Sequence, residues 1–104
     1  MTRIVRHRAV QDDLEVIVRY LAPRNLEATL RLIDALEATL NELAKFPGLG
    51  THPSFLNAHR HRDVRFRLIA PFPNYMVFYR EIEHVIEILH VLHGARDIPA
   101  IFEP

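Results

Sequence analysis

The chain predicts an α+β fold in which an N-terminal helical hairpin packs on a small, largely antiparallel sheet, in the order β-α-α-β-β-β. Three observations predict it. Two segments with one-sided apolar spacing fill most of the first 45 residues. A clear period of two opens the second half at Asp63–Leu68. The three strand-like segments that follow are joined with no helix between them, so nothing forces a parallel crossover.

Residues 3–7 (RIVRH) supply a short first strand. In the next segment Val10, Leu14, Ile17, Val18 and Leu21 form the single apolar stripe of an amphipathic helix. Asp12, Asp13 and Glu15 fall in its early turns and Arg19 near its end, which suits the helix dipole. Pro23 stops it. Asn25 is the expected N-cap of a second helix. Here Leu26, Leu30, Ile33, Leu36, Leu40 and Leu43 make a long stripe, and Ala28, Leu32, Ala35 and Thr39 make a second beside it. A helix apolar over that much of its circumference is contacted on more than one side. The short connection makes the two helices antiparallel neighbours, and Phe46-Pro47-Gly48 ends the second.

A connector of about 13 residues follows, with Phe55 and Leu56 as its expected anchors. Val64, Phe66 and Leu68 then alternate with Asp63, Arg65 and Arg67. Residues 70–74 (APFPN) read as a turn, Tyr75–Arg80 (YMVFYR) as a strand, Glu81–His84 as a polar break, and Val85–Leu92 (VIEILHVL) as the last strand. Alternation puts Tyr75, Val77 and Tyr79 on one face, with Met76 and Phe78 on the other. It splits the last strand into Val85, Leu89 and Val91 against Ile86, Ile88 and Leu92. Both faces of the sheet are therefore apolar. Two helices cover only one of them, so the other is expected to meet a protein partner, without which the chain would aggregate; the alternative is that the connector and the C-terminal tail fold over it.

Length and composition bound the function. The 104 residues make one domain, residues 1–104, with 49% hydrophobic and 25% charged side chains. The 13 bases balance the 13 acids, which disfavours a uniformly basic nucleic-acid binder. No direct sequence-specific nucleic-acid binding is expected. The balance hides segregation, because residues 60–67 hold Arg60, Arg62, Arg65 and Arg67. All but one of the positive side chains are arginine, suited to bidentate contacts with phosphate or carboxylate. The absence of cysteine removes disulfide scaffolds, thiolate zinc sites and cysteine nucleophiles. No apolar run approaches the roughly 20 residues of a membrane span, and no signal peptide is visible, so no membrane partner and a cytoplasmic location are expected.

Seven histidines invite a metal, but none falls in an H-E-x-x-H pattern and no metal or other cofactor is expected. No P-loop, nucleophile elbow or dinucleotide fingerprint occurs, and Ser54, the only serine, has no obvious partners. The four arginines of residues 60–67 are the best charged constellation. They serve either as a grip on phosphates or an acidic partner helix, or as a solvated strand face.

Five segments then combine: Ala9–Leu21 (AVQDDLEVIVRYL, a loosened A-x-x-D-L), residues 43–50 (LAKFPGLG), 62–66 (RDVRF), 75–80 (YMVFYR) and 88–97 (ILHVLHGARD). In order and spacing they resemble the ParE branch of the ParE/RelE toxin superfamily of type II toxin–antitoxin systems, from about residue 3 to residue 98. The resemblance implies the same hairpin-on-sheet fold and a ParD-like antitoxin whose C-terminal segment wraps the helices and sheet. It implies a toxin that poisons DNA gyrase as a protein and not as a catalyst. The residues expected at partner contacts are Arg62, Arg65, Arg67, Tyr75, Tyr79, His93 and Arg96. RelE-like relatives instead cut mRNA on the ribosome. That activity would here fall to Arg65, Arg67, Arg80 and His90, because the tail Ile98–Pro104 holds no Tyr or His and Phe102 cannot move a proton. An inert member that retains only antitoxin binding is the third possibility.

Overall fold

The structure, a computed structural model, describes residues 2–103; Met1 and Pro104, the ends of the expected domain, lie outside them. The chain runs β1 (Arg3–Arg6), α1 (Arg8–Leu21), α2 (Leu26–Lys45), a single 3₁₀ turn (Pro47–Leu49), β2 (Arg65–Ile69), β3 (Phe72–Ile82), β4 (Val85–His93) and a short α3 (Ile98–Phe102). The sheet order is β1-β4-β3-β2, with β1 parallel to β4 and the other pairs antiparallel. This is the α+β hairpin-on-sheet architecture that the sequence predicts.

The helices start where side chains satisfy their free amides. The His7 Nδ1 accepts from Ala9 N at 3.2 Å and the Asn25 Oδ1 from Ala28 N at 2.9 Å. Val10 and Ile17 of α1 pack with Leu32, Leu36, Leu40 and Leu43 of α2 against one sheet face. The long stripe of α2 thus divides. Its second half is buried, whereas Leu26, Leu30 and Ile33 remain 60%, 55% and 39% exposed, and Thr29 and Leu32 face inward in their place. A straight 3.6-residue helix drifts around its axis, so no stripe spaced three and four residues apart stays on one neighbour for five turns.

The expectation that a partner must cover the second sheet face is overturned. Leu56 and Val64 of the connector and Ile98 of α3 close over Phe78 and Leu92, with Phe66, Met76 and Phe102 packed around them. Phe78 is fully buried between Phe66 (centroids 5.9 Å) and Phe102 (5.2 Å). The chain therefore has three layers, hairpin, sheet, and a cover made of connector and tail. The tail and the connector thus do what the partner was expected to do. The tail turns into a helix because Pro99 suits its first turn and the Asp97 Oδ1 caps Ala100 N.

Two irregularities change which side chains share a face. Phe78 pairs with His90 but Tyr79 pairs with Ile88, so Leu89 is an extra residue on β4. The bulge puts Ile86, Ile88 and Val91 together on the helical face and Leu89 with Leu92 on the other, correcting strict alternation. The turn expected at residues 70–74 contracts to Ala70–Pro71. Phe72 already pairs with Ile69, and Pro73 is tolerated because residues 73–75 fall in the offset before Met76 meets Leu68. The polar break at residues 81–84 contracts likewise. Ile82 pairs with Val85, and Glu83 and His84 adopt φ of 49° and 65° as the two-residue loop of a tight hairpin.

Candidate functional site

Two concave surfaces gather the side chains capable of chemistry or recognition, and they lie on different parts of the molecule. The first, about 250 Å³, opens on the covered face of the sheet between the connector, β3, β4 and α3. Arg80 and Glu87, opposite each other across β3 and β4, pair at 3.1 Å in its wall. His90 stands beside them because of the Leu89 bulge. Its Nδ1 lies 2.8 Å from the Asp13 Oδ2, which also accepts from Val91 N at 3.0 Å. A carboxylate only accepts, so Nδ1 of His90 donates and Nε2 is left for the pocket. Asp13 is where it is for a reason: β1 ends at Arg6, and its last bond to β4 runs from His7 N to Ile88 O. Past that point α1 lies along β4, and the Asp13 carboxylate satisfies the strand amide that β1 no longer reaches.

The rest of this pocket comes from the cover. Arg60 is ion-paired to Glu103, and His61 lies 3.7 Å from the same carboxylate. The Phe102 ring sits edge-on to both His61 and His90, at 5.5 and 5.1 Å. Arg80 Nε and His61 Nε2 are buried with no hydrogen-bond partner among the described residues. Among those residues no group of three or more His, Asp or Glu side chains is placed to hold a metal ion.

The second surface is a groove of about 320 Å³ between the outer flank of α1 and the end of β4. Val16 and Tyr20, one turn apart on α1, form one wall; Tyr75, His93, Ala95 and Arg96 form the other. The Tyr75 and His93 rings meet edge to face at 4.9 Å, on strand positions directly opposite each other. Burial, with a smaller contribution from Tyr20, raises the Tyr75 phenol above its ordinary pKa.

The expected contact residues are thus dispersed. Tyr75, His93 and Arg96 come together in the groove. Tyr79 cannot touch a partner: it is completely buried, donating to Pro47 O at 2.6 Å and accepting from Gly50 N at 2.8 Å. Gly50 permits that approach, since a Cβ there would lie 2.6 Å from the phenol oxygen and 2.8 Å from Phe66 O. Arg62 is exposed on the connector and lines neither surface, although its neighbours His61 and Asp63 line the first. Arg65 donates to Gly50 O at 2.7 Å and Arg67 pairs with Glu42 of α2 at 3.3 Å, both on the helical side of β2. They are separated by the sheet from Arg80 and His90, so the four-residue nuclease set does not assemble. The sequence had no signal for Asp13, Arg60 and His61 as neighbours of His90, because their meeting depends on the bulge and on the folded tail.

The decisive comparison covers most of the chain. Residues 4–98 match the family described as the ParE toxin of type II toxin–antitoxin systems, parDE. The chain belongs to the ParE toxin family. It is therefore a toxin of a type II system, in which an antitoxin is the partner. No curated protein matches it in sequence. The ParE match stops at Ile98, so α3, which completes the second core, lies almost wholly beyond it. Among the described residues no helix is long and apolar enough to cross a membrane.

Proposed function

We propose that this ParE-family chain acts as a single domain, residues 1–104, that poisons DNA gyrase by binding it, and that a ParD-like antitoxin neutralises it in the cytoplasm. The family match carries this reading. The dispersal of the arginines supports it over nucleolysis. Cleaving RNA requires cations around one phosphate and a titratable group beside it, whereas Arg65 and Arg67 are held by Gly50 O and Glu42 on the other side of the sheet.

Ribosome-dependent mRNA cleavage is the second reading, and one observation favours it. The Asp13-oriented His90 stands in the same pocket as Arg80 and His61. In that reading the participants are these residues, not Arg65 and Arg67.

Purified chain is incubated with gyrase, ATP and relaxed plasmid, then with a translating ribosome extract. The gyrase reading expects lost supercoiling and plasmid linearised after detergent and protease treatment, with mRNA intact. Undisturbed supercoiling together with cut mRNA overturns it and leaves the nuclease reading. Activity in neither assay, with antitoxin binding retained, leaves an inert member.

A further inference from the structure

Leu26, Leu30 and Ile33 stand at i, i+4 and i+7 on α2, so they form one apolar stripe that the core does not use. Exposed leucines scattered singly need no explanation, but three large apolar side chains on one helix face make a surface. Thr29 and Leu32 turn the other way, into the hairpin. Ile33, at the inner edge of the stripe, also lines the seam to Leu14 and Val18 of α1. A stripe on a helix is a ridge, shaped to pack beside another helix and not to enclose a small molecule.

The charges on its outer border specify which helix. Counted from Thr29, Glu27 lies two residues before and Arg31 two after. Arg24 lies five before and Asp34 five after. All four are exposed, and none is ion-paired among the described residues. Arg24 is held in place by the Tyr20 ring, 3.9 Å beneath its guanidinium. Opposite signs thus stand at equal distances on either side of one residue. A row of charges with that order is complementary to itself when reversed.

We propose that this face of α2 is the contact of a homodimer, in which a second copy of the chain, free of antitoxin, packs antiparallel along residues 26–34. The dimer does not depend on which target the toxin attacks. Centred at the level of Thr29, it sets Glu27 against the partner's Arg31 and Asp34 against the partner's Arg24. Two-fold symmetry makes each pair twice. In the same register Leu26 falls between the partner's Leu30 and the partner's Ile33, and Leu30 meets the partner's Leu30 near the axis. Charge fixes both direction and register. A parallel copy would set each charge beside its own kind. Sliding the centre to between Leu30 and Arg31 would set Glu27 against the partner's Asp34, acid on acid. Each copy withdraws three apolar side chains from water. One helix face is a small interface, so the dimer is reversible, with a dissociation constant in the micromolar range.

Analytical ultracentrifugation of the full chain, from low micromolar to submillimolar concentration, tests it. The unaltered chain is expected to pass from monomer to dimer, and Leu30→Glu to stay monomeric throughout. Glu27→Arg and Arg31→Glu, each alone, put two like-charged pairs in contact and should raise the dissociation constant about tenfold. The double variant Glu27→Arg with Arg31→Glu should recover most of that loss. All these positions are exposed, and circular dichroism checks that each variant folds. A dimer that survives Leu30→Glu, or a double reversal no tighter than the single ones, overturns this contact. So does an unaltered chain that is monomeric at every concentration. If an antitoxin then protects residues 26–33 of that monomer from hydrogen exchange, the stripe belongs to the antitoxin and not to a second copy.

Discussion

Removing the Phe102 ring tests whether the sheet's second face is closed by the chain itself. Phe102 contacts Phe78 at 5.2 Å, His90 at 5.1 Å and His61 at 5.5 Å, and is half-buried. Truncating a fully buried phenylalanine costs about 3–5 kcal/mol. Discounted for the part of the ring already in water, Phe102→Ala should cost about 1.5–2.5 kcal/mol. The change also uncovers Phe78 and Leu92, which are buried in the intact chain. In urea denaturation followed by circular dichroism the midpoint should fall with little change in slope, since the same surface is exposed on unfolding. Near 100 residues this corresponds to a loss in Tm of roughly 6–15 °C. Binding of an apolar dye to the folded variant should rise, and Phe102→Leu should recover more than half of the loss. A cost below about 0.5 kcal/mol, with dye binding already high in the unaltered chain, would show that the tail does not seal this face and would refute the reasoning.

Three further outcomes follow from the same geometry. Asp13→Ala leaves Val91 N buried without a partner and frees His90, so it should destabilise by about 2–3 kcal/mol; thermal unfolding checks this, and a loss under 1 kcal/mol contradicts it. Replacing Glu83 by Asn together with His84→Gly supplies residues that accept left-handed backbone at φ of 49° and 65°, and should stabilise by about 1 kcal/mol in the same assay. Burial raises the Tyr79 phenol above its usual value of 10.0, although Gly50 N, Arg65 and Arg67 oppose the shift. The folded state therefore holds this proton more tightly than the unfolded chain. The associated stability is complete below pH 10 and is lost as pH rises through the folded value. Absorbance titration at alkaline pH should show a tyrosine ionising late and together with unfolding, and Tyr79→Phe should remove that step; early, reversible ionisation of all three tyrosines would contradict it.

Much of the fold was legible because local chemistry and tertiary structure agree. Asn25 and Pro23 mark the helix boundaries that the backbone adopts, and the alternation around Phe66 and Tyr75–Arg80 matches their strands. What stayed hidden depends on non-local geometry. A single extra residue at Leu89 moves His90 beside Arg80, and period-two reading does not register a bulge. The tail residues Ile98, Ile101 and Phe102 have the i, i+3, i+4 spacing of a helix, but a single turn is too short for a periodicity to register, and their packing closes the second face. The excess apolar surface inferred from the sequence exists, but on the hairpin at Val16, Tyr20, Leu26 and Leu30, not on the sheet. Of the residues expected at partner contacts, Tyr75, His93 and Arg96 stand together in one groove. Tyr79 is drawn inward because its phenol satisfies Gly50 N and Pro47 O.

Hydrogen exchange of the chain alone, and then with the antitoxin, tests most directly that the toxin seals its own sheet and leaves a helical flank for its partner. Alone, the amides of β3 and β4 around Phe78 and Leu92 should already exchange slowly, and the antitoxin should add protection at residues 14–33 and 93–96. Rapid exchange throughout β3 and β4 that slows only when the antitoxin binds, with no gain on the hairpin, would contradict it.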